Sequence, residues 1–69
     1  MSKLTEQDRA LVLEVAEENM NLSAAARALG LNRSSVDWRI DLILRDTGLD
    51  ARNFYDLCEL LDQIREGTL

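Results

Sequence analysis

The residues best suited to chemistry in this chain lie in residues 21–40, where arginine, serine and asparagine side chains are concentrated. An arginine guanidinium can donate two hydrogen bonds to a phosphate or to a guanine edge, and serine and asparagine side chains also bond these groups. The segment is therefore suited to binding nucleic acid. The candidate contact residues are Arg27, Asn32, Arg33, Ser34, Ser35, Trp38 and Arg39.

The arginines also have structural alternatives. Arg33 can pair with a nearby acid, and Arg39 with an acid of the last helix. For Arg27, an ion pair within the chain is slightly favoured over a phosphate contact. Arg45 follows Asp41 by four residues, which predicts a pair along one helix face.

The uncharged candidates have alternatives of their own. Asn32 is more easily explained as a helix N-cap than as a DNA contact, because that role is local and strongly preferred. Ser35 can serve as a second capping hydroxyl or as a contact with phosphate or base. The ring of Trp38 either contacts DNA or another chain, or lies over a neighbouring helix.

Catalytic chemistry is not indicated. The chain has no histidine and a single cysteine, Cys58, and it lacks a glycine-rich phosphate loop and a cluster of metal ligands. We expect no enzyme activity, no cofactor and no metal, and we expect Cys58 to be a small core residue. The lone cysteine and the lack of an apolar run of about 20 residues predict a cytoplasmic protein with no membrane span.

Elements with helical periodicity must position these residues. The capping and glycine signals predict one all-α domain over residues 1–69, in which four helices form a helix-turn-helix core with an additional C-terminal helix. The N-caps would be Thr5, Ser23, Asn32 and Asn53, and Gly30 and Gly48 would end the second and third helices. The predicted helices are residues 5–20, 23–29, 33–46 and 53–66.

Residues 21–40 predict the helix-turn-helix itself. The run Ala24, Ala25, Ala26 lets a second helix approach closely, and Gly30 permits a sharp turn. The third helix would present Ser34 and the other polar residues near its N-terminus, the part of a recognition helix that enters the major groove.

The motif resembles two related families. Eight positions resemble the DNA-binding helix-turn-helix of Fis-like proteins, namely Ala25, Ala26, Leu29, Gly30, Asn32, Arg33, Ser35 and Val36. A longer pattern resembles the C-terminal domain of PucR-type regulators and covers almost the whole chain. It comprises Asn21, Leu22, Ser23, Ala26, Arg27, Leu29, Arg33, Ser35, Arg39, Thr47, Gly48, Leu49 and Asp50, with Leu57, Leu60 and Leu61 in the last helix. The resemblance implies a transcriptional regulator that binds duplex DNA.

Three positions depart from the PucR-type pattern: Asn32 replaces histidine, Ser34 replaces asparagine and Trp38 replaces tyrosine. Asp37 and Trp38 stand where Fis-like proteins usually have basic residues. PucR-type domains also end long sensor proteins, and this sequence includes no sensor.

Charge leaves two functions open. The net charge is −5, whereas residues 22–45 carry four arginines against two aspartates, a sum of +2. The favoured hypothesis is a regulator, as a homodimer with helices one and four as the candidate contact, that places residues 33–46 in the major groove. The alternative is a protein-interaction module that keeps the fold, has lost DNA binding and binds a regulatory protein partner.

Overall fold

The computed structural model describes residues 4–67 and 69 and shows an all-α fold, as predicted. Its helices are α1 (Glu6–Glu17), α2 (Leu22–Leu29), α3 (Arg33–Thr47) and α4 (Phe54–Arg65). No strand is found in the described residues. No described helix combines the length and apolar character that crossing a membrane requires.

Three predicted N-caps are confirmed. The Thr5 hydroxyl accepts a hydrogen bond from the Asp8 amide, and the Asn32 and Asn53 side chains cap α3 and α4 in the same way. Each cap satisfies an amide that the first helical turn leaves without a partner. These bonds fix where the helices begin.

The first helix ends earlier than the sequence predicted, at Glu17 rather than near Met20. Asn19 and Met20 both have positive φ, 56° and 66°. The Met20 amide donates to the Val15 carbonyl at 2.8 Å, and the Asn19 amide donates to the Ala16 carbonyl at 3.2 Å. This paired pattern is a Schellman motif, which turns the chain sharply into α2.

The core lies where α1 meets the other three helices, while α2 packs on α3. Its largest fully buried side chains come from α1, α3 and α4: Leu11, Val12, Val15, Val36, Ile40, Ile43 and Leu60. The second helix contributes smaller side chains, of which Ala25 is fully buried. The Arg9 guanidinium joins Leu4 to Leu69, because it donates to the carbonyls of both residues, at 2.6 and 3.2 Å.

The last helix buries only part of the predicted face. The predicted inner face was Phe54, Leu57, Cys58, Leu61 and Ile64. Leu57 is buried and Leu61 and Ile64 pack against the core, as predicted, but Leu60 is also buried, whereas Phe54 and Cys58 are exposed. The expectation of a core Cys58 is therefore wrong, because α4 contacts only α1 and has no second helix to cover this side.

Candidate nucleic-acid interface

The segment α2–turn–α3 is a helix-turn-helix. Gly30 has φ of 70°, a left-handed conformation that costs glycine no strain, and it ends α2 as predicted. The Leu31 amide then donates to the Ala26 carbonyl at 2.8 Å, and Asn32 starts α3 directly afterwards. Ala25 and Ala26 are buried against the core, so their small side chains let α2 pack closely.

The third helix presents two different faces. Val36, Ile40 and Ile43 are buried in the core. Ser34 and Trp38, four residues apart, lie on the opposite face and are exposed, Trp38 to 60%. The ring of Trp38 is therefore not covered by a neighbouring helix, and the alternative that placed it there is wrong.

Arg33 lies at the edge of this exposed face and is held by two neighbours. Its Nη1 donates to the Ser23 hydroxyl at 3.2 Å, which links the start of α3 to the start of α2. Its Nε lies 3.5 Å from the Asp37 carboxylate, one turn further along α3. The guanidinium remains half exposed, so an incoming phosphate can reach it.

Ser23 itself is not the N-cap of α2, as the sequence had predicted. Asn21 takes that role and accepts the Ala24 amide at 3.1 Å. The N-cap lies two residues earlier than predicted, which places Leu22 in the first helical turn, where its side chain reaches the core and is 8% exposed. The Ser23 hydroxyl is thereby left to bond Arg33, a role that the sequence analysis missed because the two residues are ten positions apart.

Arg27 is exposed in the last turn of α2. No ion pair joins it to a carboxylate of the described residues, so the intramolecular pair favoured by the sequence is not formed. Arg27 follows Ser23 by four residues and therefore lies on the same side of α2. Ser23 and Arg27 thus continue the polar edge that Arg33 begins.

Arg39 points away from this edge. Its guanidinium lies 3.6 Å from the Asp8 carboxylate of α1, and both side chains are largely buried. Arg39 also lines a pocket with Leu29 and Leu31. The predicted partner in the last helix is wrong, because α3 packs on α1 and does not contact α4.

The predicted pair between Asp41 and Arg45 is also absent. Arg45 lies beside Asp46 at 3.5 Å, while Asp41 accepts from Arg52 of the α3–α4 link at 2.6 Å. Arg52 also bonds Asp50 at 2.9 Å. Arg52 was another residue that sequence reasoning missed, since its partner on α3 is brought near only by the fold.

These contacts perturb two pKa values. Partial burial tends to raise the pKa of Asp50, but hydrogen bonds from the backbone and side chain of Arg52, together with its charge, lower the pKa overall. The hydrogen bonds to Asp50 and Asp41 raise the pKa of Arg52. Arg52 thus joins Asp41 of α3 to Asp50, and the Asp50 amide in turn donates to the Asp56 carboxylate of α4 at 3.1 Å.

The structure gathers most of the predicted site on one surface. Asn32, Arg33, Ser34, Ser35 and Trp38 all lie in the first two turns of α3 or at its cap, and Ser35 is half buried. Arg27 lies on the adjoining side of α2, and Arg39 is turned toward α1. Within the described residues, no group of histidine, cysteine or acidic side chains could hold a metal ion.

Comparison with known proteins identifies a family. The family model of the PucR C-terminal helix-turn-helix domain matches residues 9–65, which run from within α1 to the end of α4. The resemblance to the C-terminal domain of PucR-type regulators, noted from the sequence motifs, is thereby confirmed. No curated protein and no solved structure matches the chain.

Proposed function

The chain belongs to the family of PucR C-terminal helix-turn-helix domains, and from this membership we propose that it binds duplex DNA to regulate transcription. The observation that carries the proposal is the exposed first half of α3, with Ser34 and Trp38 outward and Arg33 at its edge. In this geometry the start of α3 enters the major groove, where base edges are read.

The polar edge supplies the phosphate contacts. Arg33 and Arg27 flank the Ser23 hydroxyl, and the amides at the start of α2 lie beside it. Guanidinium groups and helix N-terminal amides both favour phosphate oxygens. Ser35, in the first turn of α3, and Asn32, the N-cap, add further contacts. The side-chain oxygen of Asn32 caps the helix, and its side-chain amide nitrogen contacts the DNA backbone.

Arg39 acts indirectly in this proposal. Its ion pair with Asp8 joins α3 to α1 and helps to hold α3 against the body of the domain. It is a positioning residue, so its replacement lowers affinity by loosening the presentation of α3 rather than by removing a phosphate contact.

We also propose that two copies bind as a dimer on an operator with two half-sites. Half-sites of this motif are separated by about 34 Å, one turn of DNA. The chain measures 29 × 19 × 19 Å, so two copies fit side by side on successive turns. The proposed setting is the cytoplasm, and the proposed role is binding and not catalysis.

A titration with random-sequence duplex DNA at low salt tests the proposal. Amide shifts from Asn32 to Trp38 that reverse on adding salt are expected, with a dissociation constant of about 10⁻⁴ M or tighter. Arg33→Gln should weaken binding, whereas Arg65→Gln, which removes an exposed arginine from α4, should change it less. No shift at millimolar protein would overturn DNA binding.

The alternative, a protein-binding module that has lost DNA binding, is favoured by one observation. The net charge is −5, and Asp37 pairs with the exposed guanidinium of Arg33, the group that would otherwise bind a phosphate. The same titration separates the two functions, because this alternative predicts no response to duplex DNA.

A further inference from the structure

Trp38 is a large aromatic side chain to which the fold gives no place in the core. It is 60% exposed, and it belongs neither to the hydrophobic core nor to the partly buried residues that pack against it. Tryptophan is enriched at surfaces that a partner covers, because burying its ring removes a large apolar area from water. The ring of Trp38 is therefore available for a contact outside the chain.

The position of Trp38 on α3 determines which way its side chain faces. Val36 and Ile40, just before and just after it on the helix, are both buried in the core, so Trp38 lies on the opposite face. Ser34, one turn earlier on this face, is exposed, and its small side chain leaves space beside the ring. Trp38 lies about 7.5 Å along the helix axis from Arg33. It is therefore within the part of α3 that is proposed to enter the major groove.

Two carboxylates lie near Trp38 on α3. Asp37 precedes it and pairs with Arg33, and Asp41 lies nearly one turn later and accepts a hydrogen bond from Arg52 at 2.6 Å. The arginine partners offset the two negative charges, but a carboxylate still repels a phosphate that comes close to it. The surroundings of Trp38 therefore favour the uncharged base edges over the phosphate backbone as the partner of its ring.

Base edges in the major groove offer an apolar ring one matching group, the C5-methyl of thymine. The other groups displayed there are hydrogen-bond donors and acceptors, which lose their water without gaining a partner when an apolar ring covers them. Covering the methyl group instead removes apolar surface of both partners from water. Apolar side chains accordingly pair with thymine in the major groove.

Resting on the proposed DNA binding, we propose that Trp38 determines sequence specificity by covering the C5-methyl group of a thymine in the major groove. The operator then carries a thymine, on either strand, at the base pair that faces the second turn of α3. Arg27 and Arg33 have a different role, because phosphates are present in every sequence and contacts with them give affinity without sequence preference. The preference for thymine comes from Trp38.

Two duplexes that differ only in methyl groups test this inference. One alternates adenine and thymine, so that Trp38 meets a thymine in every register, and in the other each thymine is replaced by uracil, which has the same hydrogen-bonding groups and no methyl. With the whole chain at low salt, fluorescence anisotropy should show about fourfold weaker binding to the uracil duplex, the effect of leaving one carbon atom uncovered. The sequence contains a single tryptophan, so the blue shift of its emission reports the same contact and should be larger with the thymine duplex.

Variants connect the methyl preference to this side chain. Trp38→Ala should lower the ratio of the two affinities from about four to about one, because no ring is left to cover the methyl group. Trp38→Phe should keep a ratio of about two or more, since phenylalanine retains an apolar ring and lacks the indole N–H. The matched control is Tyr55→Ala, which removes an exposed ring from α4 and should leave the ratio unchanged. Both replaced side chains are exposed, so the variants should fold.

The possible failures of the inference and of DNA binding itself are distinguishable. Equal affinity of the unmodified chain for the two duplexes, or an unchanged ratio in Trp38→Ala, would overturn the role of Trp38 while salt-sensitive binding still supported the DNA-binding function. A ratio that falls to one in Trp38→Phe as well would point to a hydrogen bond from the indole N–H and would also overturn the apolar contact. Binding to neither duplex would overturn the proposed function, and the inference with it.

Discussion

Replacement of Asp37 by asparagine should strengthen DNA binding. The Asp37 carboxylate lies 3.5 Å from the Arg33 guanidinium, so it both occupies this arginine and repels the phosphate that the arginine would bind. Asparagine keeps the size of the side chain and removes the charge. Both side chains are about half exposed, so the lost pair costs only about 0.3–0.5 kcal/mol of folding stability.

The expected gain follows from Coulomb's law. A phosphate bound by Arg33 would lie about 7 Å from Asp37, where the repulsion in water is about 0.6 kcal/mol, or about threefold in affinity. Two flanking phosphates raise the gain to about sevenfold at low salt. At physiological salt the Debye length is about 8 Å, so the gain should shrink to less than about threefold.

Fluorescence anisotropy with a labelled duplex over a range of salt concentrations measures this effect. If Asp37→Asn frees Arg33 for a phosphate, the slope of log affinity against log salt should steepen by up to about 0.9. The matched control is Asp46→Asn, because Asp46 also lies 3.5 Å from an arginine Nε but at the C-terminal end of α3. Equal gains in the two variants would show that only net charge matters, and no gain in Asp37→Asn would refute the reasoning.

Three further predictions concern the fold. Gly30→Ala should lower the free energy of unfolding by about 1–2 kcal/mol, because alanine is strained at the left-handed φ of 70° although no heavy atom crowds the new Cβ. Urea unfolding should show this loss, and an unchanged midpoint would contradict the prediction. Cys58 should react with Ellman's reagent in the native protein about as fast as in urea, and protection would place it in the core after all. The lowered pKa of Asp50 means that its contribution to stability is complete above its ordinary value of 3.8 and is lost as the pH falls through the lower folded value. Arg52→Gln should therefore reduce stability at neutral pH and flatten its dependence on pH below 3.8, whereas an unchanged pH profile would exclude this pair as the cause.

Features that depend on neighbouring residues could be predicted from the sequence. Thr5, Asn32 and Asn53 cap their helices, and Gly30 and Gly48 end α2 and α3 as expected. A cap is satisfied by amides two or three residues away, so the local residue types determine it. The family could be identified for the same reason, since its motif combines these caps with the apolar spacing of α2 and α3.

Contacts between helices could not be predicted in this way. The partner of Arg39 is Asp8 rather than an acid of α4, and Arg33 meets Ser23 across the turn. The sequence shows only that arginines and acids are present on exposed arcs, while the partner of each depends on how the helices pack.

The sequence by itself determined the four helices, the glycine turn and the polar start of α3, because each is encoded by interactions within one helical turn. Only the tertiary structure decided which part of the wide apolar arc of α4 became core. Burial requires a neighbour, and α4 has only α1, which covers Leu57 and Leu60 and leaves Phe54 and Cys58 in water.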